Sequence, residues 1–150
     1  MQKFELKTFN IPKLKGISEK TIEEHLKLYQ GYVTHSNLVL EKIADLSQKA
    51  EENMGLLSGL QRRFGFEYNG MRNHEIYFAQ FEGGHKLCVG GDPIHQAITK
   101  EWGDFDKWLG FFKTIATTRG IGWAILYYDQ VSDRLLNAWI DEQHLGQLSG

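Results

Sequence analysis

Apolar residues recur at helical spacing through much of the first half of the chain. From Ser18 to about Ala50 they stand three or four positions apart, which predicts one long amphipathic helix, with a bend at Gly31. Ser18 suits the N-cap of this helix, because its hydroxyl can accept a hydrogen bond from a free amide of the first turn. The apolar stripe consists of Ile22, Leu26, Tyr29, Val33, Leu40, Ile43 and Leu46.

A second long helix is predicted further along. Gly55 and Gly59 indicate a loop or a short helix, and a longer helical pattern follows Phe66, until Gly83 and Gly84 end it. Two long helices with a short connection pack antiparallel, so the first half predicts a helical hairpin. The apolar face of the second helix carries Met71, His74, Phe78 and Phe81.

The second half of the chain mixes helical and strand patterns. Pro93 opens a predicted helix toward Trp102, and residues 104–118 predict another. Two runs rich in β-branched and aromatic residues follow, 122–128 and 134–140, and they predict a β-hairpin.

This order of elements predicts an α+β fold. We expect an N-terminal helical-hairpin domain over residues 1–87 and a C-terminal α/β domain with a small antiparallel sheet over residues 88–150. The C-terminal domain is expected to be incomplete, because the pattern ends without a final element.

Charge and composition exclude several classes of partner. The net charge is -2 with both signs mixed along the chain, so neither nucleic acid nor a membrane surface is an expected partner. No long apolar run or export leader occurs, and a cytoplasmic location is expected. With Cys88 as the one cysteine, a metal would have to be bound by histidine and carboxylate.

Two histidines, His25 and His74, lie on the apolar faces of the two predicted long helices. A single histidine in such a position is most often an ordinary core residue with a hydrogen-bond partner. Two on facing helices can instead share a metal, and imidazoles suit iron, manganese, zinc and copper. Both interpretations stay open on the pattern alone.

Five sequence blocks, taken together, resemble the iron/manganese superoxide dismutase family. They occur in the family's order between residues 17 and 126. The blocks are IxxxTIEEH (17–25), YVTHSN (32–37), NHEIYF (73–78), GGDPIHQAI with WGDFDKW (90–108) and GIGWAIL (120–126).

The resemblance implies roles for individual residues. His25 and His74 would be ligands of one manganese or iron ion per chain, and Tyr32 would stand at the mouth of the metal cavity. Trp123 and Phe78 would form its aromatic wall. Gln143 falls where manganese-type members supply a glutamine to the metal-bound solvent. Iron-type members often place that glutamine at the position of Gly70, so manganese is favoured.

The chain also departs from the family pattern. His25 and Tyr32 are seven positions apart, one fewer than in the family, and Tyr29 stands where a histidine is usual. The Asp-x-Trp-Glu-His motif that supplies the other two ligands does not occur, so we expect a chain truncated before it. Asp141 and His144 are the possible substitutes, although their spacing is one residue too short.

The implied activity is the disproportionation of superoxide to dioxygen and hydrogen peroxide at a mononuclear centre. Because only two ligands are present, we expect little activity from the 150 residues alone. The full-length protein is expected to form a homodimer or homotetramer. The alternative is a metal-free binding or assembly module derived from the same fold.

Overall fold

The computed structural model describes residues 2–147, and they form four α-helices and one β-hairpin, which confirms the predicted α+β class. The chain divides into two units, Met1–His85 and Lys86–Gly150, so the division lies two residues before the predicted boundary. The helices are α1 (Glu19–Ser47), α2 (Met54–Ala79), α3 (Pro93–Trp102) and α4 (Phe105–Ala116), and the strands are β1 (Gly122–Asp129) and β2 (Arg134–Asp141).

Helix α1 begins where the sequence predicts. The hydroxyl of Ser18 accepts a hydrogen bond from the amide of Thr21 at 3.1 Å, which satisfies one of the free donors of the first turn. The helix runs through Gly31 to Ser47, three residues short of the predicted end at Ala50.

Helix α2 is longer than the sequence predicts. It runs unbroken from Met54 to Ala79, so the loop or separate short helix predicted around Gly55 and Gly59 is wrong. Each glycine costs a helix only about 1 kcal/mol relative to alanine, which the neighbouring turns can outweigh. The helix ends at Ala79, before the glycine pair that was expected to end it.

The core of the first unit lies between α1 and α2. Tyr29 and Val33 of α1 and Met71 and Phe78 of α2 are buried there. Residues 2–15 form an extended arm without regular structure. The arm adds apolar side chains to the same core, namely Phe4, Phe9 and Ile11.

The second unit packs two short helices against the hairpin. Ile98 of α3, Trp108 of α4 and Leu135 of β2 form its buried cluster. Strands β1 and β2 pair antiparallel, with Gly122 opposite Asp141 and Asp129 opposite Arg134. The hairpin therefore agrees with the predicted strands to within one residue at each end.

None of the helices in residues 2–147 is both long and apolar enough to cross a membrane. The last predicted segment, 141–150, is described as far as residue 147, where it forms a turn after β2, and residues 148–150 lie outside the described part of the chain.

Candidate metal centre

The structure brings His25 and His74 together. The two imidazole rings lie 4.8 Å apart between centroids, at 83° to each other, one from α1 and one from α2. A metal binds an imidazole nitrogen at about 2 Å, so two rings that share one ion must be close neighbours. The observed distance of 4.8 Å between the ring centroids makes the two imidazoles close neighbours in this sense.

His74 is buried, with 2% of its surface exposed. A backbone carbonyl of its own helix determines which of its two ring nitrogens carries the proton. Its Nδ1 lies 2.6 Å from the carbonyl oxygen of Gly70. Because a carbonyl only accepts, Nδ1 carries the proton in the neutral ring and the lone pair lies on Nε2. Metal-binding histidines commonly have this kind of partner for the nitrogen that does not bind metal.

Burial also keeps the two rings uncharged. Desolvation lowers the pKa of His74 to about 4, a shift that the Gly70 carbonyl opposes and His25 reinforces. Desolvation likewise lowers the pKa of His25, which is half-buried. Neutral imidazole is the form that binds a metal, so both rings are in the competent state at neutral pH.

Aromatic side chains surround the pair. The ring of Phe78 lies 5.4 Å from that of His25, and Tyr77 lies 5.2 Å from it. Tyr32 is 5.1 Å from the ring of His74. Tyr32 also fills the space in front of Gly70, so that position has no room for a side chain. The residues predicted for the helical part of the site therefore meet in one place.

The remaining predicted residues lie in the second unit. The indole Nε1 of Trp123 donates a hydrogen bond to Oε1 of Gln143, which is buried. Gln143 follows β2 in a turn where both it and Glu142 have positive φ, at 69° and 44°. Such angles are uncommon outside glycine, so the turn holds Gln143 in a costly conformation.

Of the possible substitute ligands, Asp141 is the last residue of β2 and His144 lies in the turn that follows. Asp141 is exposed, and Nδ1 of His144 lies 2.6 Å from the carbonyl oxygen of Glu142. Within residues 2–147 no three or more histidine, cysteine, aspartate or glutamate side chains are grouped so that they could hold a metal ion. The described site is therefore a pair of histidines.

One part of the site was missed by the sequence analysis. Glu75, next to His74, has 8% of its side chain exposed and binds Lys7 and Arg72, at 2.8 and 2.7 Å. It also accepts a hydrogen bond from the hydroxyl of Tyr29 at 3.1 Å. The position of Glu75 in the sequence could have indicated its burial. It stands four residues after the core residue Met71, where an apolar residue is expected.

Two neutral imidazoles from facing antiparallel helices, enclosed by aromatic rings, define a candidate histidine metal centre of the kind that helix-bundle metalloproteins build. Comparison with known sequences identifies the family within this class of metalloproteins.

Residues 90–149 match the model of the iron/manganese superoxide dismutases, C-terminal domain. A superoxide dismutase [Fe] of Cupriavidus metallidurans is 32% identical, with 92% of this chain and 69% of the relative covered. For the superoxide dismutase [Fe] of Aquifex aeolicus the identity is 33%, and the coverage 91% and 66%. Superoxide dismutase [Mn] 2 of Haloferax volcanii is 29% identical, with 89% and 66% covered.

The chain belongs to the iron/manganese superoxide dismutase family, which confirms the predicted resemblance. It spans about two thirds of the length of these curated relatives. The relatives' names include both metals, so the comparison supports iron or manganese without a preference between them.

Proposed function

We propose that the protein disproportionates superoxide to dioxygen and hydrogen peroxide, with His25 and His74 as two ligands of a mononuclear manganese or iron ion. The observation that carries the proposal is the approach of two neutral rings, the half-buried His25 of α1 and the buried His74 of α2. Family membership and the names of the relatives support it.

The residues present fit such an ion in their chemistry. Neutral imidazole suits manganese and iron among other first-row metals, and the Gly70 carbonyl orients the ring of His74. When bound, the metal would supply the one-electron chemistry, because it can alternate between two oxidation states.

The chain's own side chains would bind the ion, shape the site and hold protons. Tyr32 lies beside His74, where its ring limits access to the imidazole. We propose that its hydroxyl holds a proton needed for peroxide formation. For the second unit we propose the same kind of role for the amide of Gln143, which Trp123 holds within that unit.

We further propose manganese as the preferred metal. The support is the absence of space at Gly70, where the Tyr32 ring excludes the glutamine that the iron-type pattern places there, together with the presence of Gln143. Metal analysis of protein produced with both metals in excess tests this, and an iron content above the manganese content would contradict it.

The site itself can be tested with two histidines of the same helix. His25→Ala, made in the protein expressed from its gene, is expected to abolish both metal binding and dismutase activity. His35→Ala is the matched control, because His35 is exposed on α1, and it should keep both. Equal metal content in the two variants would show that His25 is not a ligand.

The 150-residue chain gives a second test. Two ligands hold a first-row ion weakly against water, so its metal should be lost on dialysis against a chelator. Full activity after such dialysis would mean that the chain supplies further ligands. Asp141→Asn and His144→Gln would then identify them.

We also propose that the protein forms the predicted homodimer or homotetramer, since the family resemblance implies it. Analytical ultracentrifugation of that protein measures the mass, and a monomer at micromolar concentration would contradict the proposal.

A further inference from the structure

The N-terminal arm is attached to the helical hairpin at several points around Tyr29. The amide of Phe4 donates to Oδ1 of Asn37 at 2.8 Å, and Nδ2 of Asn37 donates back to the Phe4 carbonyl at 2.9 Å. The amide of Lys7 donates to the hydroxyl of Tyr29 at 3.1 Å. Further along, the amide of Asn10 donates to Glu82 of the turn after α2.

Glu75 connects this arm to both helices. One carboxylate oxygen accepts from Tyr29 of α1, and the other accepts from Lys7 of the arm and Arg72 of α2. Burial alone would raise the pKa of Glu75, but the hydrogen bonds and charges of Lys7 and Arg72 hold it below its usual value. The carboxylate is therefore charged and fully engaged at neutral pH.

Two aromatic rings, those of Tyr29 and Phe78, lie between the arm and the two histidines. Phe9 of the arm lies 5.8 Å from Tyr29 and 5.4 Å from Phe78, between ring centroids. Tyr29 lies nearly parallel to His74, at 24° and 6.5 Å. Phe78 stands 5.4 Å from His25. Each imidazole is thus one ring away from the arm.

We propose that residues 4–10 of the arm are a strap that holds the imidazoles of His25 and His74 against each other, with Glu75 as a positioning residue acting through Tyr29. The inference rests on the proposed metal site, since only there does the distance between the rings matter for function. Ligand positions matter because a site held too loosely loses metal affinity.

The test measures ring geometry in the metal-free protein by NMR, with histidine labelled in the ring. Glu75→Gln removes the charge that joins Lys7, Arg72 and Tyr29, and both cations stay partly solvated, so the fold should persist. We expect loss of the nuclear Overhauser effect between the His25 and His74 rings. Tyr29→Phe keeps the aromatic packing, removes the hydroxyl alone and should show the same loss.

Glu41→Gln is the matched control. It removes another ion pair between the arm and α1, Lys3–Glu41 at 2.6 Å, which is exposed on both sides. The control should keep the wild-type ring signal. If Glu75→Gln fails to fold, the nuclear Overhauser effect between the two histidine rings in Tyr29→Phe tests the inference instead. An unchanged ring signal in the folded variants would overturn the inference.

Failure of the proposed function would look different. The wild type would then show the two rings in contact, and the variants would lose that contact, while the gene-encoded protein bound neither manganese nor iron.

Discussion

Gly70 and Tyr32 pack so closely that a Cβ atom at position 70 would lie 2.6 Å from Cδ1 of the tyrosine ring. The contact joins α2 to α1 one turn before His74. Alanine at this position must therefore push the ring of Tyr32 aside.

Gly70→Ala is expected to destabilise the protein by about 1–3 kcal/mol, the usual cost of overpacking. Gly65→Ala is the control on the same helix, because a Cβ there meets nothing within 4 Å. That variant should gain up to about 1 kcal/mol from the higher helix propensity of alanine. Urea unfolding measures both, and equal midpoints for the two variants would contradict the close packing.

The pH dependence of stability follows from His74. Its pKa is about 4 in the folded chain against an ordinary value of 6.5. As pH falls from 6.5 toward 4 the unfolded chain takes up a proton that the folded chain does not. The free energy of unfolding of the metal-free protein should therefore fall, by up to about 3 kcal/mol.

Glu75 acts in the same direction at lower pH. Its lowered pKa gives stability that is present above its ordinary value of 4.5 and is lost as pH falls through the folded value. Urea titrations from pH 7 to pH 4 measure the slope. His74→Asn should reduce the slope above pH 4.5 to the part that His25 contributes, while His35→Asn, on the surface of α1, should leave it as in the wild type. A slope in His74→Asn as steep as in the wild type would contradict the assignment.

A third prediction concerns the turn after β2. Gln143→Met keeps the length of the side chain and removes the amide oxygen to which Trp123 donates. We expect a loss of about 1 kcal/mol in stability and an upfield shift of the indole Nε1 proton of Trp123. The other indole protons, including that of Trp108, which donates to Asn137, serve as internal controls. An unmoved Trp123 signal would mean that the bond is not formed in solution.

The fourth prediction concerns the start of β1. A Cβ on Gly122 would lie 2.2 Å from the carbonyl oxygen of Ile140 and 2.7 Å from the ring of Trp139. Because part of this obstacle is backbone, Gly122→Ala should cost about 3 kcal/mol or more by distorting the hairpin.

Gly110→Ala is the control for that variant, since a Cβ on this glycine of α4 meets nothing within 4 Å. It should be neutral or slightly stabilising. Thermal unfolding compares the two, and a Gly122→Ala variant as stable as the wild type would show that the strand can move away.

The β-hairpin could be predicted from sequence because its signals are local. Aromatic and β-branched residues mark both strands, and the residues from Asp129 to Asp133 mark the turn. The faces of His25 and His74 could be predicted for a similar reason, because helical periodicity alone places both on apolar stripes.

A break was predicted at Gly55 and Gly59, but α2 continues through both. The other parts that were missed depend on tertiary contacts. The burial of Glu75 depends on Lys7, 68 residues away, and no local pattern shows that pairing. Likewise the contact of Gly70 with Tyr32 joins two helices, and spacing within either helix does not indicate it.

The low proton affinity of His74 has a consequence for metal entry at the proposed site, where this ring would be a ligand. A ring that is already neutral at pH 7 gives up no proton when an ion arrives, so its share of the binding free energy stays nearly constant from neutral pH down to about 5, one unit above its pKa. Mildly acidic solution would therefore not expel metal from this ligand by competition, and calorimetric heats of metal uptake would contain no contribution from the ionisation of this imidazole.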